Sequence, residues 1–548
     1  MKFSILTLIM LSAVSLWGQS DIGKEIDALL IKAIPNEATP GLTVGVVKDA
    51  KLLYQNSRGS MNLAYQLPFN DSTVFGLASV SKQFTAACIG VLQHRAALSV
   101  QDDVRKYIPE LAFYGDTIRI QHLLNHTSGI RNHNVLLDLK GFDYQHRGYT
   151  NDMIHALMFR QEGVNNAPGE KMLYSNTNYV LLALIVERVS GQKIHQFAQK
   201  ELFGPLAMEQ TFYQYDLEQI IPNRATPYYK AGPNFKAPKT LTLCVGAGGV
   251  QSSISDLAKW AQLFLDPQHE FAYLKSFITQ LDTLNNGEMM KHARAMFVSP
   301  YRSHTTYNHS GRDIGMRSQF ICVPDLNLAV IVYTNSEHLN AVEISYQILD
   351  LYMEGSEPEK STKRPSYHTA IELNSFVGTY QELNSDFRMD IFVTKDTLRA
   401  LSSFGREAAP LASQGETSFS RIDNASVSYA FTLRGAAATG LQVDFGGAIF
   451  YFERVELAPN LNQNLAQFAG EYYSKELAVT YTLGMQGEQL ILSYPNHDGL
   501  ALKEIQKDVL GANRRTKYSF SRNAKGEPIS FFVAAEGTVK NILFERLD

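Results

Sequence analysis

Three cysteines in 548 residues, Cys88, Cys244 and Cys322, are too few and too widely spaced to staple a fold, and none forms a CxxC pair. Each sits in an apolar stretch, so they read as buried free thiols. Positive charge is scarce too: the formal net charge is −4 and no long basic block occurs, which argues against nucleic acid as a partner. No segment offers the ~20 apolar residues that a spanning helix needs. The apolar run over residues 3–17 follows Lys2, precedes Gly18-Gln19-Ser20, and reads as a cleaved signal peptide over residues 1–19, hence export without a stable membrane anchor. Metal-like spacing is confined to His122 and His126, which i,i+4 geometry would put on one helical face. With no evident third ligand they read as helix-packing residues, and no metal or cofactor is expected.

What remains is the composition of a globular protein, 45% apolar and 19% charged, long enough for two or three domains. Residues 42–47 and 52–58 are β-rich around the polar turn Lys48-Asp49-Ala50-Lys51, which predicts a hairpin. Residues 79–265 are mostly helical in pattern, as in 180–189, which stops at Ser190-Gly191. Strands return at 318–323 and 328–333 around Pro324-Asp325-Leu326-Asn327, followed by a helix over about 339–353. Strands at both ends of a helical insert predict an α/β (α+β) domain with an antiparallel sheet over residues 20–353.

Residues 354–370 have a linker's composition, charged and carrying Pro358 and Pro365. Beyond it Phe376-Val377-Gly378-Thr379-Tyr380 recurs as Phe468-Ala469-Gly470-Glu471-Tyr472, and Phe452-Glu453-Arg454 recurs as Phe544-Glu545-Arg546. This duplication divides the rest into 371–457 and 458–548. Each copy reads as an all-β barrel-like or sandwich unit of roughly eight strands; one larger barrel shared by both copies is the alternative.

Three short elements carry the chemistry. Ser79-Val80-Ser81-Lys82 precedes an apolar helix, and one turn brings Lys82 beside Ser79. A serine hydroxyl needs a neighbouring base, and a desolvated lysine can serve as one. Tyr174-Ser175-Asn176 lies in the helical insert, with Tyr174 a candidate base and Asn176 a candidate anchor for a substrate amide. His309-Ser310-Gly311 stands just before a strand, where glycine permits close approach to the backbone. Each pattern is common alone: Ser190-Gly191-Gln192-Lys193 and Lys230-Ala231-Gly232 match two of them but read as a surface turn and a loop.

Taken in this order, the three elements resemble those of class C β-lactamases, serine DD-carboxypeptidases, D-aminopeptidases and related esterases, the β-lactamase and penicillin-binding-protein superfamily. The resemblance extends to Leu98-Ser99-Val100-Gln101-Asp102-Asp103-Val104, Gln121-His122-Leu123-Leu124-Asn125-His126-Thr127-Ser128-Gly129, Ala167-Pro168-Gly169-Glu170 and Gly246-Ala247-Gly248-Gly249-Val250-Gln251-Ser252-Ser253, and so spans about 26–353. It implies Ser79 as acylated nucleophile, Lys82 and Tyr174 sharing proton transfer, and Asn176 holding the substrate amide. His309, Ser310 and Gly311 would line the opposite wall, and the N–H groups of Ser79 and Arg312 would form the oxyanion hole.

β-Lactamases of this group carry lysine where His309 stands, whereas histidine is common in the peptidase and esterase branches. The resemblance therefore implies hydrolysis of small peptides, D-amino-acid-containing ones above all, in a layout similar to D-aminopeptidases with two barrels. A short-chain esterase, a weak β-lactamase and a non-catalytic receptor for β-lactams or cell-wall peptides are the alternatives. At the ordinary histidine pKa of ~6.5, His309 is expected to bind carboxylate-bearing substrates better below neutral pH.

Overall fold

The computed structural model describes residues 22–353, apart from 145 and 240, and residues 370–547, apart from 384–386, 404–406, 423–426, 446–448, 457–463 and 513–514. The expected signal peptide lies outside these residues, as does nearly all of the expected linker. The chain forms two compact units. One takes Met1–Gly129, Tyr144–Ala156 and Asn166–Glu359; the other takes Ile130–Asp143, Leu157–Asn165 and Lys360–Asp548.

The first unit is built on a six-stranded, antiparallel sheet. Numbered along the chain, its strands are β1 Leu42–Lys48, β2 Lys51–Arg58, β3 Phe297–Tyr301, β4 His304–Asp313, β5 Met316–Val323 and β6 Leu328–Thr334, in the spatial order β3-β4-β5-β6-β1-β2. The hairpin expected from Lys48 to Lys51 is the β1–β2 turn, with Asp49 and Ala50 both at positive φ.

Helices cover both faces, which is why β1 and β6 read as nearly unbroken apolar runs. Leu42, Val44 and Val46 share a core with Ile26 and Leu30 of α1 (residues 22–33) and with Ile344 and Ile348 of the C-terminal helix Ala341–Tyr352. On the other face Gly45 leaves room for Ile254 of the helix Ile254–Leu265; a Cβ at 45 would meet the Ile254 side chain at 2.4 Å. Two further helices carry site residues: α2, Lys82–His94, and α3, Asn176–Ser190, which ends at Gly191 as its sequence predicts. Among the described residues no helix is long and apolar enough to cross a membrane.

In the second unit each sequence repeat is its own closed eight-stranded barrel, running up and down from Gly378–Glu382 to Ile449–Val455 and from Gly470–Ser474 to Val539–Arg546. A single barrel shared by both copies is thereby overturned. Eight strands leave an interior that side chains fill: Tyr380, Phe419, Phe431 and Phe452 in one, Tyr472, Tyr481, Phe531 and Phe544 in the other.

The repeated residues close both barrels in the same way. Tyr380 Oη donates to Phe376 O at 2.7 Å and Tyr472 Oη to Phe468 O at 3.0 Å. Arg454 donates to the carbonyls of Val377 and Ala438, and Arg546 to those of Ala469 and Pro528, so each arginine ties the last strand to the segment leading into the first.

Candidate active site

Ser79 lies in a 3₁₀ turn, Ala78–Ser81, that runs directly into α2. Ala78 immediately before it has φ +48°, a left-handed conformation that costs an ordinary L-residue energy and occurs where surrounding structure enforces it. The enforcement comes from β4 and β5. Ser318 Oγ donates to Leu77 O at 2.8 Å, and a Cβ at Gly311 would fall 2.3 Å from the same oxygen. Glycine at 311 therefore lets the strand press against the backbone of the Ser79 turn.

Lys82, at the first position of α2, is fully buried, and its ammonium group has three partners: Ser79 Oγ at 3.1 Å, Asn176 Oδ1 at 2.8 Å and Ala247 O at 2.8 Å. It forms no ion pair among the described residues. Burial lowers its pKa to about 7, against a small opposing effect from Cys244. The carbonyl of Ala247 reaches Lys82 because the preceding Gly246 (φ +106°) passes over α3, where a Cβ would meet Tyr179 O at 2.3 Å.

Asn176 opens α3 and Tyr174 stands two residues before it. Burial raises the Tyr174 phenol far above its ordinary range, with Ser79 opposing the shift, so Tyr174 keeps its proton at neutral pH. Its ring lies 5.1 Å from Lys82 Nζ. Tyr174, expected as a candidate base, is thus a neutral phenol at pH 7, and of the two groups Lys82 is the one whose pKa lies near neutrality.

The third element forms the opposite wall. On β4 the side chains alternate: His309 and Gly311 are buried, Ser310 and Arg312 exposed. The side chains of Ser310 and Arg312 therefore lie across the strand from His309 and Gly311. β3 pairs with residues 304–308 only, so residues 309–313 overhang it.

His309 departs from expectation in charge. Burial, with Lys82 adding to it and the Ser310 backbone opposing, pushes its pKa down to about 3. The ring is neutral from pH 5 to 8, and the expected gain in carboxylate binding just below neutrality does not follow from its titration.

Two residues of the site escaped sequence reasoning. His126 is not on one helical face with His122, because that helix ends at Leu124 and His126 has φ +60°. It packs instead on Tyr174, ring centroids 4.2 Å apart, and clamps the Tyr174 turn: its carbonyl accepts from Leu173 N–H at 2.8 Å and its Nδ1 from Ser175 N–H at 3.3 Å. The His-Thr-Ser-Gly stretch was the available signal. His292 packs behind His309 at 6.2 Å and had no local signal.

Of the expected free thiols, Cys88 and Cys322 are buried and Cys244 is half-buried, close enough to Lys82 to act on its charge. Lys230-Ala231-Gly232, expected as a loop, is the turn end of a short hairpin, Tyr229–Ala231 with Asn234–Lys236. Among the described residues no group of His, Cys, Asp or Glu side chains is arranged to hold a metal ion.

A profile of the Beta-lactamase family matches residues 26–352. Penicillin-binding protein 4* of Bacillus subtilis (strain 168) is 28% identical over 420 residues, 67% of this chain and 91% of its own. D-aminopeptidase of Gluconobacter oxydans (strain 621H) is 25% identical over 339 residues, 61% of this chain and 63% of its own. Among solved structures, the octameric penicillin-binding protein homologue from Pyrococcus abyssi aligns with a TM-score of 0.55 at 21% identity, covering 78% of this chain and 99% of its own, which bears on the fold alone. Since the match spans more than half of the chain and includes the Ser79 turn, the Tyr174 turn and β4, the chain belongs to the Beta-lactamase family.

Proposed function

We propose that the chain is an exported serine hydrolase that cleaves amide bonds of small, D-amino-acid-containing peptides through an acyl-enzyme on Ser79. The observation that carries this reading is Lys82, buried without a carboxylate partner among the described residues, 3.1 Å from Ser79 Oγ and lowered by burial to about 7. Unprotonated Lys82 takes the hydroxyl proton as Oγ bonds to the substrate carbonyl carbon. The N–H groups of Ser79 and Arg312 receive the oxyanion. The C–N bond then breaks, Tyr174 relaying the proton from Lys82 to the departing amine, and water releases the acyl group by the reverse sequence. Asn176, held by Lys82, offers its amide N–H to the substrate. Similarity to a D-aminopeptidase and to penicillin-binding proteins supports the substrate class and the exported location.

The test is hydrolysis by purified protein, beside Ser79→Ala, of a D-amino-acid anilide, its L-enantiomer, a short acyl ester and a chromogenic cephalosporin. The D-anilide is expected to lead, with all turnover lost in Ser79→Ala. Ester turnover alone would replace the peptidase reading with an esterase, and a stable adduct without turnover would make the protein a receptor.

A further inference from the structure

Three histidines from three separate segments meet beside the nucleophile. His126, His292 and His309 are all buried; the ring centroids lie 5.1 Å apart for His126 and His292, and 6.2 Å for His292 and His309. Their hydrogen positions follow from their partners. His126 Nδ1 faces two donors, Ser175 N–H at 3.3 Å and Asn178 Nδ2 at 3.2 Å, so in the neutral ring the hydrogen sits on Nε2. His309 Nδ1 lies 2.7 Å from the carbonyl of Ser310, which can only accept, so there the hydrogen sits on Nδ1 and Nε2 is a bare acceptor.

Four buried atoms in this cluster have no hydrogen-bond partner: His126 Nε2, His309 Nε2 and both ring nitrogens of His292. The inventory balances. His126 offers one N–H, His309 one lone pair, and a neutral His292 one of each. Imidazoles joined by a direct N–H···N bond have centroids ~5 Å apart. The first pair has that separation without the ring orientation that makes the bond, and the second is about an ångström wider, so both bonds call for a side-chain rotation.

We infer that His292 is a positioning residue, accepting from His126 Nε2–H and donating to His309 Nε2, so that a directed chain of three neutral imidazoles joins the Tyr174 turn to the β4 wall. His126 packs on Tyr174 at one end of the chain, and His309 faces Tyr174 at 6.4 Å from the other. Phe297 seals His292 and His309 on a further side, at 4.6 and 5.7 Å.

The charged and titratable groups around the cluster favour the uncharged state. Burial and the Lys82 cation lower the pKa of all three rings, and no carboxylate acts on any of them among the described residues. Tyr174 and Tyr179, the latter 5.2 Å from His126, are phenols raised by burial. The Ala293 backbone opposes the shift at His292 without outweighing burial. A chain satisfied in this way leaves the wall without a cation, which deepens the reading above: the substrate group opposite Ser79 is one that needs no charge from His309.

The test uses the full-length protein with nitrogen-15-labelled histidine. The expected spectrum has His126 as the Nε2–H tautomer and His309 as the Nδ1–H tautomer, both unchanged from pH 8 to 5, with exchange-protected imidazole N–H signals from His126 and His292. His292→Phe is expected to lose the protection at His126, and His292→Gln, which can still accept and donate, to keep it. The kinetic counterpart is a fall in kcat/KM of about tenfold in His292→Phe, restored in His292→Gln, and this arm alone rests on the hydrolase reading. An Nε2–H tautomer at His309, titration of any of the three rings between pH 5 and 8, or His126 protection undiminished in His292→Phe would overturn the inference. The wild-type tautomers decide the question even if His292→Phe does not fold, and they do so whether or not the protein hydrolyses amides.

Discussion

Lys82→Ala is expected to lower kcat/KM by about 10²–10⁴-fold, ~2.7–5.4 kcal/mol of activation energy, while leaving the fold intact. The loss has two sources. One is the base itself, since among the described residues no second group near Ser79 combines proximity with a pKa near neutrality: Tyr174 is pushed up and His309 down. The other is orientation, because the same ammonium group spans Ser79, Asn176 and Ala247. The pH profile separates the two. A lysine lowered to about 7 is protonated below that value and unprotonated above it, so wild-type kcat/KM rises with pH to a midpoint near 7 and then levels. In Lys82→Ala that inflection disappears from the residual rate. An inflection that survived the substitution would assign the base elsewhere.

The largest effect on stability belongs to the second unit. Glu476 stands in the turn after the first strand of the second barrel, and its carboxylate accepts from Arg131 Nη1 and from Glu162 N–H at 2.8 Å. Arg131 also donates to Gln161 Oε1 and Asn541 O, both at 3.0 Å. The ion pair is almost completely buried, with side-chain exposures of 2% and 7%. It ties Ile130–Asp143 and Leu157–Asn165 to the barrel within that unit.

Removing one partner of such a pair strands a charge away from water, so Glu476→Ala is expected to destabilise the second unit by ~3–5 kcal/mol. Replacing both partners with apolar residues, Arg131→Met with Glu476→Leu, should recover most of that loss, since the desolvation cost of both charges goes with them. Denaturant unfolding of the three proteins measures it. A single variant within ~1 kcal/mol of wild type would mean that water reaches the pair.

What the sequence made legible follows from how local each signal is. Ser79 and Lys82 are one helical turn apart, so their spacing alone carries their proximity. The Phe-x-Gly-x-Tyr and Phe-Glu-Arg repeats were legible for a similar reason: each tyrosine bonds four residues back, to Phe376 or Phe468. Two closed barrels rather than one depended on long-range pairing, Thr379 with Val455 and Tyr472 with Arg546, which no short window contains. The histidine cluster was illegible on the same ground, being drawn from residues 126, 292 and 309. The helical period that grouped His122 with His126 misled, because the helix stops at Leu124. The charge of His309 could not be read from its identity, since burial beside Lys82, not residue type, sets it.

Whether Ser79 carries the acyl group is read most directly from the intact mass of the protein quenched during turnover of an activated ester. A mass increase equal to the acyl group, mapped to the peptide containing Ser79, decaying when substrate is exhausted and absent from Ser79→Ala, is the predicted result. Turnover without an adduct on that peptide, or undiminished in Ser79→Ala, would contradict it.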